Sequence, residues 1–173
     1  MATHPEPVIR AATSQDIESI TGVHVAAFGG PSEANLVAAL TAQCATLISL
    51  VALVDSVIVG HILFSPVRVE PATDVSVWGL APMAVHPAKQ GCGIGAGLVH
   101  SGIATCRDNA VEALVVLGHQ DCYPRFGFCP ASEFGLGCTY DVPPQAFMAL
   151  ELQARALREV AGVVHYHPVF AEL

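Results

Sequence analysis

The spacing of apolar positions changes repeatedly along this chain, and each change marks an element. After a lead at residues 1–6 that reads as disordered, Val8-Ile9-Arg10-Ala11-Ala12 has the pattern of a short strand. Thr13-Ser14-Gln15-Asp16 is a capping cluster, with Thr13 or Ser14 as the cap and Asp16 in the first turn. Ile17, Ile20, Val23 or His24, and Ala27 then recur at helical spacing. Gly29-Gly30-Pro31-Ser32 ends that helix, and Ser32 is expected to cap a second one carrying Leu36, Val37, Ala39 and Leu40.

From Thr46 the period shortens. Leu47 to Val54 is apolar and rich in β-branched residues, Asp55-Ser56 is a turn, and Val57 to Val67 reads as the partner strand of a hairpin. Glu70 to Asp74 forms the next turn and Val75 to Val85 a third strand. Short turns between successive strands make this part antiparallel. Pro82 interrupts the third strand; having no N–H to give a ladder, it predicts an edge or a bulge. A helix to about Asp108 follows. The buried strand Ala113 to Gly118 should then run parallel to the strand before that helix. Cys122 to Phe128 reads as a short helical turn. Ala146 to Leu152 and Val163 to His167 read as late strands, with a short helix expected at Ala154 to Glu159.

Composition narrows the class. A chain of 173 residues suits one domain spanning 1–173, with enough length for a core of its own. It is apolar, at 53% hydrophobic residues and a mean hydropathy of +0.54. Even so, no apolar run approaches the ~18–20 residues that cross a bilayer, so no membrane association is expected. The N-terminus lacks the basic and apolar segments of a signal peptide, and a cytoplasmic protein is expected. The six cysteines include no C-x-x-C pair, so neither disulfides nor a metal site is expected. The net charge of −8, with one lysine, argues against a nucleic-acid surface and suits an amine-bearing small molecule.

The chemistry concentrates after the third strand. Four glycines, Gly91, Gly93, Gly95 and Gly97, fall between that strand and the helix carrying Ile94, Leu98 and Ile103. Strand, glycine loop and helix can hold a phosphate: the backbone approaches closely, and the first N–H groups of the helix point at the anion. Gly91-x-Gly93-x-x-Ala96 matches the dinucleotide fingerprint literally. That fingerprint requires an acid about 20 residues on, at the end of the next strand, and Glu112 stands before that strand instead. A P-loop fails because no Gly-Lys-Ser/Thr follows the glycines.

Gln90-Gly91-Cys92-Gly93-Ile94-Gly95 resembles the Q/R-x-x-G-x-G/A motif of the GNAT superfamily of acyl-CoA-dependent N-acyltransferases. The resemblance extends over roughly residues 8–130. Leu80 to Pro87 looks like the strand before that motif. Leu117 to Phe128, with Tyr123-x-x-x-Gly127-Phe128, looks like the following strand and its aromatic segment, and Ile9 to Ile17 like the opening strand and helix. The resemblance implies an α/β (α+β) fold of GNAT type: a mixed, mostly antiparallel sheet with a splayed parallel strand pair and flanking helices. It also implies acetyl-CoA as co-substrate and no metal. Backbone groups of Met83, Ala84 and Val85 would bind the pantetheine amides and the acyl carbonyl. N–H groups from Gln90, Gly91, Cys92, Gly93, Ile94, Gly95 and Ala96 would bind the pyrophosphate.

Acyl transfer to an amine needs a neutral amine, a polarised carbonyl and a proton for the departing thiolate. Tyr123 stands where the family places its general acid; read by itself, it is equally an aromatic packed beside Phe126 and Phe128. His119 directly follows the strand, and histidine is the side chain type suited to proton transfer near neutral pH, which makes it a candidate base or a loop residue facing water. Asp121 and Glu33 are further candidates, Glu33 being equally a helix-dipole choice. Trp78, His86, His165 and His167 read as structural, and Cys122 as a packing residue rather than a nucleophile. The expected reaction is acetyl transfer to a primary amine of a small molecule or peptide by direct attack. A non-catalytic acyl-CoA-binding module of the same fold is the alternative. The apolar C-terminal strands are compatible with a homodimer.

Overall fold

The computed structural model describes residues 5–173. Residues 1–4 of the expected disordered lead lie outside them. In chain order the strands and α-helices are β1 (Val8–Ala11), α1 (Ile17–Phe28), α2 (Ser32–Gln43), β2 (Ile48–Val54), β3 (Val57–Pro66), β4 (Arg68–Glu70), β5 (Val77–Val85), α3 (Ile94–Asp108), β6 (Ala113–Leu117), β7 (Cys129–Pro130), β8 (Leu136–Cys138), β9 (Phe147–Glu151) and β10 (Gly162–His165). They fall into two compact units. One takes the chain up to Phe64, Pro82–Gly102 and Val169–Leu173; the other takes Ser65–Ala81 and Ile103–Pro168.

In the first unit the strand order is β1-β2-β3-β5. The expected hairpin is present: β2 and β3 pair antiparallel from Ile48↔Phe64 to Val54↔Val57, with a register shift at Ala52/Leu53. Asp55 and Ser56 close it, both at positive φ (49° and 65°), the two left-handed residues that the twist of a two-residue hairpin turn requires. β3 is buried continuously from Val59 to Ser65, which fits a strand covered on both faces. A Cβ at Gly60 would come within 3.1 Å of Ile94 and 2.9 Å of Leu98, so β3 lies directly under α3 there. On the opposite face, His61 meets His24 of α1. α1 buries Ile20, Val23 and His24, while Ile17, expected on its apolar face, is 54% exposed. Ser32 does not cap α2: it is the first helical residue, and Pro31 occupies the cap position without a side-chain bond.

In the second unit the order is β5-β6-β9-β7, with a separate three-stranded sheet β4-β10-β8. β6 pairs parallel with β5 and antiparallel with β9. The crossover through α3 therefore gives the parallel pair that the sequence implied. Val77, Val115, Phe147, Ala149, Leu157 and Val164 form its core with their neighbours. Of the second sheet the sequence pattern shows β10, expected as Val163 to His167; it places Arg68 and Val69 of β4 in no element and Glu70 in a turn, and gives no strand at β8. No helix forms at Ala154 to Glu159. These residues make successive turns, with Arg155 at φ 62° and the Glu151 carboxylate accepting from Leu157 N–H at 3.0 Å.

Pro82 corrects the sequence reading in one respect. β5 is an interior strand, with β3 and β6 as neighbours in the sheet order, and is not an edge. The irregularity falls just before the proline: Gly79 and Leu80 are both buried, so the alternation along β5 slips by one residue there. Among the described residues, no helix is long and apolar enough to cross a membrane.

Candidate active site

The site residues expected from the sequence fall into two local arrangements, one in each unit. In the first unit β5 ends at Val85 and the chain turns through a single 3-10 turn, Pro87–Lys89. His86 caps that turn, its Nδ1 accepting from Ala88 N–H at 3.2 Å, which gives this histidine a structural task. The Gln90 side chain reaches back and donates from Nε2 to the Val85 carbonyl at 3.0 Å. The loop is thereby tied to the strand that leads into it.

The four glycines divide into two pairs. Gly91 and Gly93 sit at φ 75° and 79°, and a Cβ on either would meet nothing within 4 Å. They are required by backbone handedness, and the space beside them is open. Gly95 and Gly97 serve packing: a Cβ at Gly97 would lie 3.1 Å from Ile9, and one at Gly95 3.7 Å from Val85. The first intrahelical bond runs from Gly97 N–H to the Gly93 carbonyl. The N–H groups of Ile94, Gly95 and Ala96 accordingly have no partner inside α3. Its first turn carries no acidic side chain to occupy the positive end of the dipole. Ile94 and Leu98, buried at 3% and 0%, fix the helix on the sheet and so fix the direction of those N–H groups.

In the second unit the parallel pairing of β5 with β6 covers only Val77↔Ala113, Trp78↔Leu114 and Gly79↔Val115. The pairing ends there although each strand runs on beyond it, β5 to Val85 and β6 to Leu117. β6 keeps its other neighbour to the end, through Leu117↔Phe147 and the Gly118 N–H bond to the Ala146 carbonyl at 2.9 Å. The His119 carbonyl then accepts from Cys122 and Tyr123 N–H, closing the turn that delivers Tyr123. Tyr123 is 8% exposed. Its ring lies edge-on to Phe128 at 5.6 Å and tilted to Phe126 at 6.4 Å, and a Cβ on Gly118 would collide with it. Burial, and after it the neighbouring Cys122, pushes the phenol up to about 12, so it holds its proton throughout the physiological range.

Other candidates fall elsewhere. His119 is exposed and lines an open pocket of about 220 Å³ with Gly118, Gln120, Pro143, Gln145 and Ala146. Glu112 accepts from Ser76 N–H at 2.7 Å, and its carbonyl accepts from Leu152 N–H; it staples the start of β6. His165 lies 3.2 Å from Glu70 and Trp78 is half-buried on β5. Cys92 is exposed and Cys122 half-buried. Among the described residues no group of three or more His, Cys, Asp or Glu could hold a metal ion.

One polar cluster escaped the sequence reading. His24 Nε2 and His61 Nδ1 are 2.8 Å apart, and His61 Nε2 is 2.8 Å from Ser49 Oγ. Both rings are fully buried, and His24 Nδ1 has no hydrogen-bond partner. Leaving an acceptor unmatched costs less than leaving an N–H unmatched. The favoured tautomers therefore run one way: His24 donates to His61, and His61 donates to Ser49. The only signal in the sequence was two histidines at positions whose pattern called for apolar residues.

The family model described as the acetyltransferase (GNAT) family matches residues 18–128. The chain belongs to this family. Among similar proteins, the "Uncharacterized N-acetyltransferase YhbS" of Escherichia coli (strain K12) is 33% identical over 164 residues, covering 94% of this chain and 98% of the relative. The same strain's "Uncharacterized N-acetyltransferase YjhQ" is 37% identical over 134 residues, covering 75% and 74%. Escherichia coli YhbS, solved in complex with CoA, superimposes with a TM-score of 0.91 at 31% identity, over 99% of this chain and 95% of that one. A GNAT acetyltransferase from Brucella melitensis, solved with acetyl-CoA, gives 0.78 at 34% identity, over 96% and 99%. The GNAT match includes both the glycine loop and the Tyr123 turn.

Proposed function

We propose that this GNAT protein transfers the acetyl group of acetyl-CoA to a primary amine by direct attack. The observation that carries the reading is the loop at the head of α3: two left-handed glycines beside open space, and helix N–H groups with no acidic side chain in their first turn. The pyrophosphate of coenzyme A fits that arrangement through Gln90, Gly91, Cys92, Gly93, Ile94, Gly95 and Ala96. Backbone groups of Met83, Ala84 and Val85 bind the pantetheine amides and the acyl carbonyl. The reading is supported by relatives solved with CoA and with acetyl-CoA.

In this mechanism the neutral amine adds to the thioester carbonyl, and backbone N–H donation stabilises the oxyanion. Collapse breaks the C–S bond. Tyr123 gives its proton to the departing thiolate, and the nitrogen's extra proton passes to His119 or to water. A phenol raised by burial remains a competent donor here, because the same burial raises the proton affinity of the thiolate. We read residues 1–173 as one N-acetyltransferase domain located in the cytoplasm. Relatives align along nearly the whole chain, which supports the single domain.

The test is a pair of measurements on the full chain. Calorimetry should show acetyl-CoA binding and no NADH binding. A free-thiol release assay across an amine library should then show turnover that depends on the amine. NADH binding without acetyl-CoA binding would overturn the reading.

A further inference from the structure

The second unit holds a further pocket, of about 270 Å³. Its floor is firm: Leu136 of β8 and Phe147 of β9 are 3% and 4% exposed, and both belong to the unit's core. Val142, Pro144 and Tyr140 add apolar wall, and Pro143 lines both this pocket and the one at His119. The two spaces share that wall residue. None of the residues lining either is Asp, Glu, Lys or Arg. Asp141 stands between two lining residues in sequence but lines neither pocket.

We infer that the pocket walled by Leu136, Tyr140, Val142 and Phe147 receives an uncharged apolar or aromatic body of the acceptor, whose single primary amine projects toward His119. The inference rests on the acetyl-transfer reading above and names its substrate class. A second ammonium or a carboxylate entering this space would lose water without finding a counter-charge, which is costly. Polyamines and free amino acids are therefore poor acceptors. The size is adequate, since an apolar cavity of about 150 Å³ already admits benzene. Ser132 at the rim and the polar residues of the other space, Gln120 and Gln145, can orient the linking atoms.

Val142 supplies the test. It lines the pocket, is half-buried and packs against the unit's core. Val142→Trp should therefore narrow the space, and thermal melting checks that the fold is kept. With the full chain and acetyl-CoA, 2-phenylethylamine should show kcat/KM at least about tenfold above spermidine and L-lysine. Val142→Trp should raise KM for 2-phenylethylamine about tenfold and leave KM for ethylamine and acetyl-CoA unchanged. Saturation-transfer NMR should detect the phenyl ring on the wild-type chain and not on the variant. Equal or better turnover of spermidine or lysine, or a Val142→Trp effect equally large on ethylamine, overturns the inference while leaving acetyl transfer intact. Absence of acetyl-CoA binding by calorimetry overturns acetyl transfer itself, and the NMR measurement then decides whether the pocket holds the ring.

Discussion

The ring of Tyr123 covers Gly118 so closely that any Cβ at 118 would overlap it. The glycine is thus part of the mount for the phenol. Gly118→Ala should displace the ring, and Tyr123→Phe should remove its proton. Each is expected to lower kcat by about 100-fold while acetyl-CoA affinity stays within twofold, since a positioned acid contributes about that much. The double variant should be no worse than either single one, because both act on one proton. Steady-state kinetics with calorimetry reads all three. Full activity in Tyr123→Phe would remove Tyr123 from the mechanism.

Gly91 and Gly93 have left-handed backbones and empty surroundings. Alanine at either therefore meets no collision, only the left-handed penalty of about 1–2 kcal/mol. The expected result is a modest fall in Tm and a rise of about tenfold in KM for acetyl-CoA, with kcat little changed. Gly97→Ala, 3.1 Å from Ile9, should lower Tm with less effect on KM.

The six cysteines differ in access, which gives a chemical probe of the same loop. Cys92 is exposed, while Cys106 is fully buried and its thiol is pushed up to about 12 by desolvation. Iodoacetamide on the native protein should alkylate Cys92 and spare Cys106. Saturating acetyl-CoA should slow the labelling of Cys92. Peptide mass mapping reads both, and unchanged labelling would argue that the cofactor lies elsewhere.

The buried histidine pair makes stability depend on pH. Desolvation lowers His24 to about 4 and His61, with help from His24, to about 3. In the unfolded chain both titrate near 6.5. Between those values the unfolded state holds more protons than the native one, so stability is full above about pH 6.5 and falls as the pH drops toward 4. Tm measured from pH 8 to pH 4 should decline by several degrees or more. His61→Ala leaves His24 Nε2 unpaired beside a cavity and should cost about 2–4 kcal/mol at pH 7. In that variant the pH slope should be shallower.

What the sequence made legible was local. The β2–β3 hairpin, the order strand–loop–helix around Gly91 to Gly97, and the turn carrying Tyr123 are all encoded within short windows by period, glycine and proline. Of the β4-β10-β8 sheet only β10 was legible, as Val163 to His167. Its strands have three or four residues, β8 contains a glycine, and its pairing joins segments far apart in the chain. Ala154 to Glu159 has helix-forming residues, yet Arg155 takes a left-handed backbone and the Glu151 carboxylate holds Leu157 N–H. There a local side-chain bond to the backbone competes with the helix. The histidine pair was hidden because a polar residue inside an apolar run states its burial only when its partner is seen.

The loop at the head of α3 asks a stereochemical question of its residues. At positions 91 and 93 the chain needs one hand of backbone and no side chain in particular. An alanine of opposite chirality, introduced by chemical synthesis, adopts that hand without the penalty an ordinary alanine incurs. It would also deny the unfolded chain much of glycine's freedom. Mirror-image residues at these two sites should thus rigidify the loop where ordinary ones distort it.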